Sequence, residues 1–190
     1  MKVTILILFI LCAIFTLIQI LPAYGEEQGA SQMEDAKKEL TVQVVNYPEI
    51  LVFSKRMIIT DFAKGIAKLM NSSWAELNQK GGKPSGPPIL LYYWEGIDFT
   101  KPMKEVDTEV AWPVSDKSIA NSTLPAITAA MVKYVGPYEE FNKVYDTIFA
   151  WIAQNGYKTG YPTREIYLND PQNTKPEDLI TEVVIPILKK

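Results

Sequence analysis

Short runs of β-branched and aromatic residues alternate along the chain with longer stretches in which apolar residues recur every three or four positions. The first pattern predicts strands and the second predicts helices. Strands are expected at residues 40–45, 50–59, 89–94 and 108–114, with a helix over 61–77 between the second and third. Phe62, Ile66, Leu69 and Leu77 share one side of that helix, with Trp74 as a further candidate. Gly81-Gly82 and the proline-rich stretch 84–88 end the helical pattern. The same order then returns. A strand over 126–135 breaks at Gly136-Pro137, and a helix follows over 138–154. It carries Phe141, Val144, Tyr145, Ile148, Phe149, Trp151 and Ile152, and Asn155-Gly156 is a natural helix stop. Strands at 163–168, bounded before by Pro162, and at 181–188 complete the second round.

Residues alternate faces along a strand, so Thr163, Glu165 and Tyr167 share one side and Arg164, Ile166 and Leu168 the other. A carboxylate beside an aromatic ring on one face has two readings. It is either a solvated outer face or a recessed anionic site with an aromatic wall, suited to a planar cation.

The two rounds match in residues as well as order. Thr108-Glu109-Val110-Ala111-Trp112-Pro113-Val114 parallels Thr181-Glu182-Val183-Val184-Ile185-Pro186-Ile187, a shift of 181 − 108 = 73. Pro88-Ile89-Leu90-Leu91-Tyr92-Tyr93 parallels Pro162-Thr163-Arg164-Glu165-Ile166-Tyr167, a shift of 162 − 88 = 74. This alignment sets Tyr93 against Tyr167 and Leu91 against Glu165. One carboxylate where the other half carries leucine favours the functional reading of Glu165. Glu109 and Glu182 occur in both halves and read as structural. Neither half covers its own sheet alone, so a duplicated strand-helix-strand-strand unit paired about a pseudo-two-fold axis is expected.

Gly136-Pro137-Tyr138-Glu139 at a helix start, Trp151 near its end, Glu165-Ile166-Tyr167-Leu168 and Thr181-Glu182-Val183-Val184-Ile185-Pro186 together resemble the GyrI-like small-molecule-binding domains. These also form the effector-binding part of Rob and of MerR-type multidrug-responsive regulators. The resemblance covers roughly residues 40–188. It implies an α+β fold with an antiparallel sheet, two main helices and a central ligand groove. It also implies that Glu165 is the acidic residue contacting cationic ligands, with Tyr167, Tyr93, Tyr138, Phe141 and Trp112 as aromatic lining.

Composition narrows the chemistry. The 47% hydrophobic and 22% charged residues are those of an ordinary globular protein. A net charge of −3 offers no basic footprint, so nucleic acid is not an expected partner. The absence of His removes His-based triads and His metal sites, and the single Cys12 lies in an apolar run. No metal or cofactor is expected.

That run, residues 3–21, is uncharged; Lys2 precedes it, and Pro22 followed by Ala23-Tyr24-Gly25 closes it. It reads as a signal peptide cleaved after Gly25 or as an uncleaved membrane anchor. Glu26-Glu27 beyond it and Lys2 before it place the rest of the chain outside the cytoplasm by the positive-inside rule. The expected organisation is a signal or anchor at 1–25, a linker at 26–39 and a ligand-binding domain at 40–190.

Three functions follow. The first is an exported binding module for planar or cationic amphiphilic molecules. The second is a hydrolase of strained cyclopropane-type genotoxins, which the resemblance implies for some relatives, using Glu165 with Tyr93 or Tyr167. The third is a membrane-anchored interaction protein of the kind that recruits autophagy machinery; a chain ending soon after its last strand speaks against it. An export segment where the regulators carry a DNA-binding region speaks against transcription control.

Overall fold

The computed structural model describes residues 40–95 and 105–190. The signal or anchor expected at 1–25 and the linker at 26–39 lie outside the described residues. Among the described residues no helix is long and apolar enough to cross a membrane.

The elements in order are β1 (Gln43–Tyr47), β2 (Ile50–Ile59), α1 (Phe62–Gln79), β3 (Ile89–Tyr92), β4 (Val106–Pro113), β5 (Ser122–Leu124) and β6 (Ile127–Val135). A 3-10 turn at Tyr138–Glu140 leads into α2 (Phe141–Gln154), followed by β7 (Tyr157–Thr159), β8 (Thr163–Tyr167) and β9 (Ile180–Lys189). All strand pairs are antiparallel. The sheet runs β1-β6-β9-β8-β3-β4-β2-β5, with β7 attached separately to β9. Read from the centre outward, β8-β9-β6-β1 mirrors β3-β4-β2-β5. The duplicated strand-helix-strand-strand architecture is therefore present, joined at the β3–β8 pair.

Each helix forms for reasons legible in its sequence. The side chain of Asp61 accepts a bond from the Lys64 amide at 3.3 Å, capping α1. Leu69, Ser73 and Leu77, spaced by four, are its fully buried stripe. Trp74 is 42% exposed and tilts against Trp112 at 5.0 Å, so it edges the core and does not enter it. α2 buries Phe141, Val144, Tyr145, Ile148 and Ile152. Gly156 follows it at φ 73°, the left-handed conformation that glycine takes without Cβ strain.

The two helices cover one face of the sheet. Leu69 and Leu77 pack with Phe53, Leu90, Val110 and Trp112 in the first half. Val144 and Ile148 pack with Ala130, Val132, Val183 and Ile185 in the second. A third cluster, including Val52, Leu91, Ala111, Ala129 and Val184, covers the opposite face. A fully buried Leu, Ile or Val contributes about 1.5–3 kcal/mol, so sheet and helices are mutually dependent.

The strand register corrects the internal alignment by one residue. Ile89 faces Ala111, and Arg164 faces Val184. Ala111 maps onto Val184 by the shift of 73 found for β4 and β9. Ile89 therefore maps onto Arg164, a shift of 164 − 89 = 75 and not 74. Leu90 is the counterpart of Glu165, and Tyr92, not Tyr93, is the counterpart of Tyr167. Leu90 and Glu165 are also direct partners across the β3–β8 pair. A one-residue slip moves every side chain to the other face, and that is the source of the error.

Candidate functional site

Glu165 lies on the helix-covered face of β8, at the middle of the sheet, and is 5% exposed. Three phenols converge on it. Tyr145 of α2 donates to Oε1 at 2.8 Å, and Tyr92 of β3 donates to Oε2 at 3.2 Å. Tyr167, two residues along β8, also donates to Oε2. Among the described residues no basic side chain forms an ion pair with it. Burial raises the Glu165 pKa above the ordinary glutamate range, and the bonds from Tyr167, Tyr145 and Tyr92 oppose that rise. All three phenols are held well above the usual tyrosine range, first by burial and then by the Glu165 charge.

An aromatic shell surrounds this centre and ties both helices to it. Phe62, at the start of α1, stacks on Tyr92 at 5.9 Å, and Trp94 meets Tyr92 edge-on at 5.3 Å. Trp94 also reaches Tyr145 at 5.9 Å, bridging the halves. Tyr138, just before α2, stands edge-on to Tyr167 at 5.5 Å and to Phe141 at 5.4 Å. Tyr138 and Tyr167 are only half-buried, so they form the outer edge of the shell. Burial and the Glu165 charge push the Tyr138 pKa up to about 12. The side chains thus pair a dry carboxylate with ring faces and edges, an arrangement that attracts a cation by charge and by ring quadrupole.

The residues expected from sequence divide. Glu165, Tyr167 and Tyr138 come together, with Phe141 behind Tyr138. Tyr93 does not join them. It lies on the opposite face, where its hydroxyl donates to Glu109 at 2.5 Å and the Arg56 guanidinium sits 3.4 Å above its ring. Trp112 is on the helix side, but its Nε1 donates to Ser73 Oγ at 2.9 Å, which commits it to the α1 core. Tyr92 and Tyr145 are the residues that sequence reasoning missed. The one-residue slip in the repeat alignment hid Tyr92, and the apolar stripe of α2 marks Tyr145 as buried without showing its bond to Glu165. Among the described residues no group of three or more Cys, Asp or Glu side chains converges to hold a metal.

Tyr145 is the one donor to Oε1 among the described residues, so Tyr145→Phe leaves that oxygen unsatisfied. The expected cost is about 1–3 kcal/mol in denaturant unfolding. The Glu165 carboxyl should also titrate at higher pH, as read by carbon NMR.

The fold and this centre define a duplicated α+β domain built around a buried, phenol-bonded carboxylate. Residues 40–188 match the GyrI-like small-molecule-binding domain, and the chain belongs to that family. The C-terminal domain of EcmrR is similar in structure, at 26% identity and a TM-score of 0.65, over 80% of this chain and 99% of that domain. EcmrR in its DNA complex gives 27% identity and a TM-score of 0.69 over 79% of this chain. This chain spans 58% of that one. A hydrolase from Listeria innocua shares the fold at 12% identity and a TM-score of 0.52, over 79% of this chain and 93% of its own. No curated protein matches the chain.

Proposed function

We propose that the domain binds small, planar or amphiphilic cations, with Glu165 as their charge partner and Tyr92, Tyr138, Tyr145 and Tyr167 as their aromatic enclosure. One observation carries this reading: among the described residues the buried Glu165 carboxylate is satisfied by three phenols and by no cation. The hydroxyls hold the position a cation would take, and Tyr138 and Tyr167 are the rings whose displacement would admit it. A bound cation favours the ionised carboxylate and so competes with its proton. Affinity for a permanently charged planar dye such as ethidium should therefore fall as pH drops through the raised Glu165 pKa and level off above it. Fluorescence titration of the full-length chain across acid to mildly alkaline pH measures this, with a neutral aromatic of similar size as reference. Affinity for the dye that tracks the neutral reference at every pH would rule the reading out.

The same carboxylate supports a second reading. A carboxyl held towards its protonated form beside the Tyr145 hydroxyl is equipped to act as a general acid. Opening of a strained cyclopropane compound by the native chain but not by Glu165→Gln, followed by product chromatography, separates hydrolysis from binding.

The uncharged run at residues 3–21, with Lys2 before it and Glu26-Glu27 beyond, supports a placement outside the cytoplasm, either released or anchored. Cell fractionation with amino-terminal sequencing tests it; full-length chain in the cytosolic fraction would overturn the placement.

A further inference from the structure

A second departure from the internal repeat sits next to the first. Arg164 occupies the position equivalent to Ile89, on the face of β8 opposite Glu165. It is 3% exposed. Its Nη2 donates to the Pro125 carbonyl at 3.3 Å, and its Nε has no hydrogen-bond partner among the described residues. The nearby carboxylates are committed elsewhere: Glu109 accepts from Tyr93, and Glu182 accepts from Tyr47. Arg56, the other guanidinium on this face, is held by both oxygens of Asp107. Of the two guanidiniums on this face, Arg164 is the one without an ion pair among the described residues.

It also lines a cavity of about 130 Å³. Leu91, Leu124 and Ile127 supply apolar wall, Ser122 brings a hydroxyl from β5, and Tyr93 with its hydrogen-bonded Glu109 forms the polar side. A space of this size is of the order that holds one six-membered ring. A guanidinium is the side chain best shaped to grip a carboxylate, and a buried one with an open donor is costly unless it is matched. With the Glu109 carboxylate held by Tyr93, the apolar wall, one ring's volume and a guanidinium with an open donor fit a ligand with a ring at one end and a carboxylate at the other.

We propose that this face holds a second binding site, for a small aromatic monocarboxylate, separate from the cation site and independent of it. Calorimetric titration of the full-length chain with benzoate should show saturable binding, and benzamide, the same shape without charge, should bind at least about tenfold more weakly. Arg164→Met preserves length and removes the guanidinium, and it should lose benzoate binding by a similar factor. If that variant fails to unfold cooperatively, Ser122→Trp replaces it, since Ser122 lines the cavity from an exposed position. Saturable benzoate binding lost in either folded variant supports the site. Absence of saturable binding, equal binding of benzamide, or retention in the folded variant overturns it. The cation site stands or falls separately, on the dye titration.

Discussion

Glu165→Gln is expected to weaken binding of a planar cation by roughly tenfold or more, because one charge-assisted contact contributes about 1.5–3 kcal/mol. A neutral analogue of the same shape should lose far less. Glu109→Gln is the control, since Glu109 lies on the opposite face beneath Tyr93. The same substitution should act in the other direction on the ligand-free protein. Burial raises the folded-state pKa of Glu165 above that of the unfolded chain. Stability from its bound proton is complete below the unfolded value and disappears as pH rises through the folded one. Glutamine carries no such dependence. The variant should therefore gain thermal stability relative to the native chain as pH rises through that window. The opposite pH trend, or equal loss of dye binding in both variants, would show that the carboxylate is not the dry centre described.

Leu90→Glu should produce the largest loss of stability. Leu90 is 2% exposed and directly opposite Glu165 in the central strand pair. A second carboxylate there has no phenol or cation assigned to it, and two adjacent buried carboxylates cannot both ionise cheaply. At neutral pH the expected cost is about 3–5 kcal/mol, in line with leaving a buried charge uncompensated. Leu90→Met, which conserves volume, should cost less than about 1.5 kcal/mol. Acid should recover part of the difference between the two variants. Denaturant unfolding at both pH values checks this, and equal midpoints for the two variants would exclude a closed, apolar centre.

The β8 face containing Thr163, Glu165 and Tyr167 was legible because alternation along one strand is a local property. The two helices were legible because their apolar periodicity is long. The partner of Tyr167 was not. Both Tyr92 and Tyr93 offer a plausible match, and only the pairing of β3 with β4 and β8 with β9 decides between them. Trp112 failed for a related reason: a strand position names a face but not which of two helices covers it. Tyr145 was recognised as buried, yet helical spacing cannot show where a hydroxyl points. β5 and β7, at three residues each, are too short to carry any period.

The near-symmetry of the two halves explains why fusion in one chain matters. Two identical half-length chains meeting as a homodimer would form an isologous interface, in which every residue near the axis meets its own copy. Such an assembly has either two glutamates facing each other across β3 and β8 or two leucines. It cannot have one of each. Joining the halves covalently frees each position to diverge, so Leu90 supplies the apolar neighbour that keeps Glu165 dry and Ile89 leaves Arg164 without a twin. The lone charge on each face of β8 is thus a property that only the tandem, and no symmetric pair, is able to hold.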